Sequence, residues 1–240
     1  MDVKRGGVIV VPLLNVFGFL NLSRDVHDKD VNRSFPGSKT GSLASRIAYF
    51  HLREITKNID FGIDIHTGGK QRSNYPQIRY TPKSEEGKAL ANIFNAPYQF
   101  ASNLIAKSFR KAAHNHNIPI IVYEGGESLR FNKLAIRKGK EGILNVLEHF
   151  EMIPKREAKS SEPVIEITNR KWIRAKIAGM LHLRIKNGEA VRKGQPLGYI
   201  TDTYGESTFR ISAPYNGFII AINNFPVVNR GDAIFHVGKE

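Results

Sequence analysis

A chain of 240 residues, 41% of them hydrophobic, is long enough to bury a core as one large domain or as a domain with a smaller companion. It contains no cysteine, which excludes disulfides and thiolate metal sites, so metal ligands would have to come from His, Asp and Glu. Its formal charge of +14 points to an anionic partner, either nucleic acid or an acidic small molecule.

The N-terminus "MDVKRGGVIVV" places basic residues before an apolar run, but the run is short and lacks a small-residue cleavage site, so it does not read as a signal peptide. No apolar stretch approaches the length that spans a bilayer, and a cytoplasmic protein is expected. "GGVIVVP", 6–12, is a β-branched run between Gly and Pro and predicts a buried strand. Residues 13–42, rich in Asn, Asp, Ser and Gly, predict a long irregular loop of the kind that often carries function. Helical spacing over 42–57 puts Ala44, Ile47, His51 and Ile55 on one face, with Ser42 as cap. "FGIDI" at 61–65 is the next predicted strand. Helices follow at 84–94 and 101–117, a strand at 118–126 ("IPIIVYEGG"), and one or two helices across 128–150. This alternation favours an α/β class with a layered sheet up to about residue 150.

Composition changes at "EMIPKREAKSSEP", 151–163, giving a catalytic-type domain at 1–153, a linker at 154–163 and a β module at 164–240. The module shows short β-branched runs separated by Gly, Asn and Pro, and a weak repeat: "VRKGQPL" at 191–197 matches "VNRGDAI" at 228–234. Two half-barrels around a pseudo-two-fold axis are expected. Net charge is +9 over 1–155 and +5 over 156–240, with no basic tail and no aromatic–basic repeat. The excess therefore reads as a basic surface rather than a nucleic-acid face.

Three stretches put polar groups at strand ends or in the long loop: "SRDVHDKDVNRSFPG" (23–37), "DIHTGG" (64–69) and "YEGGE" (123–127). Ligands in open α/β sheets collect at the carboxyl ends of strands, so His66 and Glu124 face one crevice. An imidazole can bind zinc, and a neighbouring carboxylate can deprotonate a zinc-bound water. Arg24, Asn32 and Arg33 could hold a carboxylate and stabilise an oxyanion. Read singly, each signal is weak: a lone His in a Gly-rich turn is more often structural, and an Arg-rich loop is usually solvated.

In order along the chain, "VPLLNVFGF", "NRSFPG", "DIHTGG" and "IPIIVYEGGE" resemble the succinylglutamate desuccinylase/aspartoacylase family, relatives of the zinc carboxypeptidases, over residues 7–150. The resemblance implies a carboxypeptidase-like mixed sheet flanked by helices, and one zinc ion with His66 as its third ligand. It implies Glu124 as the base that activates water and later protonates the leaving amine, with Glu127, beyond the two glycines, as a weaker candidate. Arg24 would polarise the scissile acyl oxygen, and Asn32 with Arg33 would clamp the carboxylate of a small acyl amino acid, a task for which the arginine fork suits better than lysine.

The family supplies its first two zinc ligands from an H-x-x-E segment upstream of the strand equivalent to 6–12. Only Asp2 among acids, and no histidine, precedes that strand here, so two of the three ligands are expected to be absent from this chain. His51 and Glu54, in "HLRE", also read H-x-x-E but sit on a core-facing helix, where packing is the plainer role. His27 reads as a loop residue near Arg24, and His114 and His116 as a helix C-terminal cap.

The β module resembles biotinyl and lipoyl carrier domains, but its hairpin stretch 199–214 has no lysine to carry a cofactor. The expectation is a zinc-dependent hydrolase of N-acyl amino acids. Its alternatives are a carboxylate-binding member without a competent metal site, or a basic nucleic-acid-binding protein. A sheet with a lost edge could recover it by pairing with another copy, so a homo-oligomer is also expected.

Overall fold

The computed structural model describes residues 3–157 and 163–240, so half of the expected linker, 158–162, lies outside the described residues. The chain opens with residues 3–15 in no regular element, then a single helical turn, α1 (Val16–Leu20), capped by the Asn15 side chain on Gly18 N. The expected strand at 6–12 is not formed: Val10 is 72% exposed, and the run joins no sheet among the described residues. β-branched residues favour a strand only where a neighbouring strand and a face to pack on are present, and this run has neither.

The long loop is better ordered than its composition suggests. It holds a two-strand ribbon, β1 (Asp25–Val26) with β2 (Lys29–Asp30), followed by a 3-10 turn at Val31–Arg33 whose N-terminus is capped by Asp30. α2 (Leu43–Thr56) follows its Ser42 cap, as the spacing predicts. β3 (Gly62–Gly68) then runs past "FGIDI", so that His66 lies inside the strand. β4 (Arg72–Tyr80), α3 (Glu85–Phe94) and β5 (Tyr98–Ala101) come next. Helix expected over 101–117 shrinks to α4 (Phe109–His114), capped by Ser108, because Ala101 ends β5 and residues 102–107 form no helix or strand. β6 (Ile120–Glu127) and one long helix, α5 (Lys133–His149), complete this part.

After residue 163 come β7 (Ile165–Glu166), β8 (Asn169–Arg174), β9 (Gly179–Leu183), β10 (Ala190–Val191) and β11 (Pro196–Thr201). The chain ends with β12 (Thr208–Ser212), β13 (Gly217–Asn223), β14 (Val227–Val228) and β15 (Ala233–Lys239). A nine-stranded mixed sheet runs β3-β6-β4-β13-β15-β8, with β5, β7 and β10 attached; a four-stranded sheet runs β12-β11-β9-β14. The C-terminal module is thus divided between two sheets: β13 pairs antiparallel with β4, Ala221 opposite Asn74, and carries the main sheet into the module. Leu197, Ile200, Ile219, Ile222 and Phe235 form the core of the module.

Strand alternation sorts the two faces of the main sheet. Ile78, Ile121 and Tyr123 pack with α3 and α5 in one core, whereas Ile120 packs with α2 and α4 in another. Glu124, two pleats from Ile120, shares the α4 side. No helix among the described residues is long and apolar enough to cross a membrane.

Candidate functional site

β3 and β6 are parallel neighbours, and their register sets His66 directly beside Glu124 near the carboxyl ends of both strands. That is the end of an open α/β sheet where ligands bind. Asp64 precedes His66 by two residues and so projects from the same face; its Oδ2 lies 2.8 Å from His66 Nε2. Burial pulls the His66 pKa down, but the hydrogen bond it donates to Asp64 and the charges of Asp64 and Glu124 outweigh it, leaving the imidazole above its ordinary value. Arg24 opposes that rise.

Glu124 is 9% exposed, and both of its oxygens are taken. Asn74 Nδ2 donates to Oε2 at 2.7 Å, and Arg79 Nη1 reaches Oε1 at 3.0 Å. Both partners come from β4, the antiparallel neighbour of β6, which carries Gln77 opposite Glu124. A buried polar group needs hydrogen-bond partners, and here they also fix the direction of the Glu124 side chain.

Arg24 is half-exposed and bonds Asp30 through Nε at 2.8 Å. Asp30 in turn accepts from Asn32 N, so the same carboxylate that holds Arg24 also caps the 3-10 turn. Asn32 Oδ1 accepts from Phe109 N at 2.9 Å and ties this loop to the start of α4. Arg33 is exposed and lines a cavity of about 510 Å³ with Lys29, Asp30, Ser45 and Lys107. A second cavity, about 370 Å³, is lined by His66, Thr67, Phe131 and Ile136 among others.

Of the expected site residues, His66 and Glu124 are thus adjacent, with Arg24 close enough for its charge to act on His66; Arg33 lines the other cavity, and Asn32 is engaged with the start of α4. Glu127 is engaged elsewhere, accepting from Asn224 Nδ2 at 2.7 Å. His51, in α2, packs edge-on against Phe35 and Phe109, and His27 sits in the β1–β2 turn with φ +45°. Asp64, Asn74 and Arg79 are the functional candidates that sequence reasoning passed over. Asp64 had a readable signal, its two-residue spacing from His66; the other two had none.

The ligand set for zinc can be checked against these contacts. A zinc ion takes at least three protein ligands. Among the described residues no group of three or more His, Cys, Asp or Glu could hold a metal, and His66 Nε2 is engaged by Asp64. The described residues by themselves do not fit the ion.

Residues 2–150 match the family model for the succinylglutamate desuccinylase/aspartoacylase catalytic domain. The chain is 28% identical over 247 residues to N-alpha-acetyl-L-2,4-diaminobutyric acid deacetylase of Halomonas elongata, an alignment covering 96% of this chain and 71% of that relative. Among solved structures it resembles the product-bound ectoine utilization protein EutE (DoeB) of Ruegeria pomeroyi, with TM-score 0.85 and 24% identity over 96% of this chain and 74% of that one. A succinylglutamate desuccinylase/aspartoacylase from Rhodobacter sphaeroides gives TM-score 0.84 at 24% identity, with the same coverage of both chains. At these identities the structural likenesses bear on the fold.

Proposed function

The chain belongs to the succinylglutamate desuccinylase/aspartoacylase family, and from that premise we propose that it hydrolyses the amide bond of a small N-acyl amino acid. The observation that carries this reading is Glu124, aimed by Asn74 and Arg79 and set beside His66 at the carboxyl end of the sheet. In the proposed reaction Glu124 takes a proton from the attacking water and passes it to the leaving nitrogen. Arg24 stabilises the negative charge that grows on the acyl oxygen, the role in which positioned cations contribute most. Asp64 holds the His66 ring in one orientation beside the reacting water. Arg33, which lines the outer cavity, meets the substrate carboxylate, and Asn32 beside it in sequence ties that loop to α4. Since the described residues do not complete a zinc set, none of these steps is routed through a metal.

The same shortage of metal ligands favours a second reading, a family member that binds carboxylates without hydrolysing amides. Amine release separates the two. The purified chain is incubated with N-acetyl-L-2,4-diaminobutyrate and N-succinylglutamate, with and without added zinc, and free amine is followed. Hydrolysis of either substrate above the blank supports the enzyme reading; no release under any condition removes it.

A further inference from the structure

On one side the main sheet ends in an open strand edge. Among the described residues β3 pairs only with β6, which leaves its other edge without a strand. Successive residues of a strand turn their main-chain groups to opposite sides. Gly62 N donates to the Pro119 carbonyl, and the Gly68 carbonyl accepts from Ser128 N, each at 3.0 Å, so the even-numbered residues of β3 face β6 and its flanks. Ile63, Ile65 and Thr67 therefore present their N–H and C=O groups outward, and none of these groups has a main-chain partner among the described residues.

An open edge is a template for another strand, and proteins usually blunt it with charge, proline or a bulge. The opposite edge of the sheet, β8, follows that rule with Arg170, Lys171 and Arg174. β3 does not: Asp64 and His66 are closed on each other, and Ile65 is 58% exposed. Apolar surface continues around it. Ile136 and Phe131, which line a cavity with Ile65, are 55% and 97% exposed. The N-terminal run borders the same strand. It starts where Lys4 N bonds the Met152 carbonyl, near Phe150, which stacks on Phe61 just before β3. It ends at Asn15, which bonds the carbonyl of Arg24, the residue whose charge reaches His66. Between residues 8 and 22, ten large apolar side chains are at least 39% exposed. With Ile65 they expose on the order of 1,000 Å² of apolar surface, more than a monomer usually shows and more than the about 800 Å² that each partner buries in a standard interface.

We propose that this edge is the interface of a homodimer, in which β3 of one copy pairs antiparallel with β3 of its partner about a two-fold axis at Ile65. The edge fits itself. Ile65 meets Ile65 of the partner subunit, and Ile63 meets Thr67 of the partner subunit, so one register satisfies the outward groups of all three residues. The exposed side chains of the N-terminal run cover the junction. The inference makes no use of the hydrolase reading.

Sedimentation equilibrium of the full chain tests it. The wild-type chain is expected to have the mass of a dimer. Ile65→Lys and Ile65→Asp each set like charges opposite one another and are expected to be monomers with unchanged circular dichroism. Because residue 65 meets itself, an equal mixture of the two variants should recover the dimer through a Lys–Asp pair. Hydrogen exchange gives a readout that needs no variant: protection of the Ile63, Ile65 and Thr67 amides should fall at least about tenfold on dilution to the monomer. Should the variants not fold, that exchange result decides. A monomeric wild-type chain, a dimer that survives both substitutions, a mixture that stays monomeric, or protection unchanged by dilution overturns the proposal. So does a monomer whose β3 amides become protected only when a separate extended peptide is added, since the edge then belongs to another strand.

Discussion

Replacing Arg79 by methionine tests how Glu124 is held. Arg79 contributes one of the two side-chain donors to the carboxylate, at 3.0 Å, and Asn74 the other at 2.7 Å. Methionine keeps much of the aliphatic bulk over Phe100 but leaves Oε1 of a nearly buried carboxylate without its cation. Breaking a buried pair by removing one partner typically costs about 3–5 kcal/mol. Two features of the structure place the expected value at the low end, about 3 kcal/mol: Arg79 keeps partial exposure, and its removal relieves repulsion with Arg110 and Arg170. That is still a large share of the 5–15 kcal/mol that typically separates folded from unfolded chains. Urea unfolding of Arg79→Met, Glu124→Gln and the double variant closes a cycle; the double variant is expected to be more stable than the sum of the single losses, since a neutral amide no longer needs the cation. A loss below about 0.5 kcal/mol in Arg79→Met, or strict additivity in the cycle, would refute the reasoning.

Three further outcomes follow from close contacts and burial. A Cβ at Gly68 would stand 1.9 Å from the Arg72 carbonyl oxygen, so Gly68→Ala should cost at least about 1–3 kcal/mol and lower the melting temperature, because the obstacle is backbone and not a flexible side-chain tip. In α5, a Cβ at Gly142 would meet the buried Phe94 ring at 2.1 Å; Gly142→Ala is expected to destabilise despite the roughly 0.5–1 kcal/mol that alanine adds to a helix, and a raised melting temperature would contradict the packing. His236, stacked on Trp172 at 4.5 Å, is pushed down to about 3, by burial first and then by the charges of Arg79 and Arg170. A folded-state pKa below the unfolded 6.5 means that the unfolded chain binds the extra proton, so stability is lost as pH falls from 6.5 toward 3, by about 1.4 kcal/mol per unit. His236→Gln should flatten that part of the stability–pH curve, and an unchanged slope would show that another group is responsible.

How far the sequence could be read depended on whether a residue's neighbours were local. His66 and Glu124 each follow an apolar run, and a parallel pairing of the strands that contain them brings them together, so both were legible from pattern alone. β4 was not, because "RSNYPQIRY" mixes polar residues with Pro76, which normally argues against a central strand. The register shift between Asn74 and Gln77 accommodates that proline. Its polar side chains are buried because they serve Glu124 and the backbone of β13, as when Gln77 Nε2 donates to the Ile220 carbonyl at 3.0 Å. Conversely, "GGVIVVP" has the composition of a buried strand and stays exposed, since composition carries no information on whether a partner strand is present. The repeat in the β module marked its strands well enough, but the pairing of β13 with β4 joins elements almost 150 residues apart and leaves no local signature.

The central claim is that Glu124 is the proton-transferring group of an amide hydrolase. Its most direct test is the rate of amine release by Glu124→Gln against the wild-type chain, on the same N-acyl amino acid and at matched folded fraction. Glutamine keeps the shape and can still contact Asn74 but cannot take a proton, so kcat is expected to fall about 10²–10⁴-fold with KM little changed. A variant that releases amine at the wild-type rate would contradict the account.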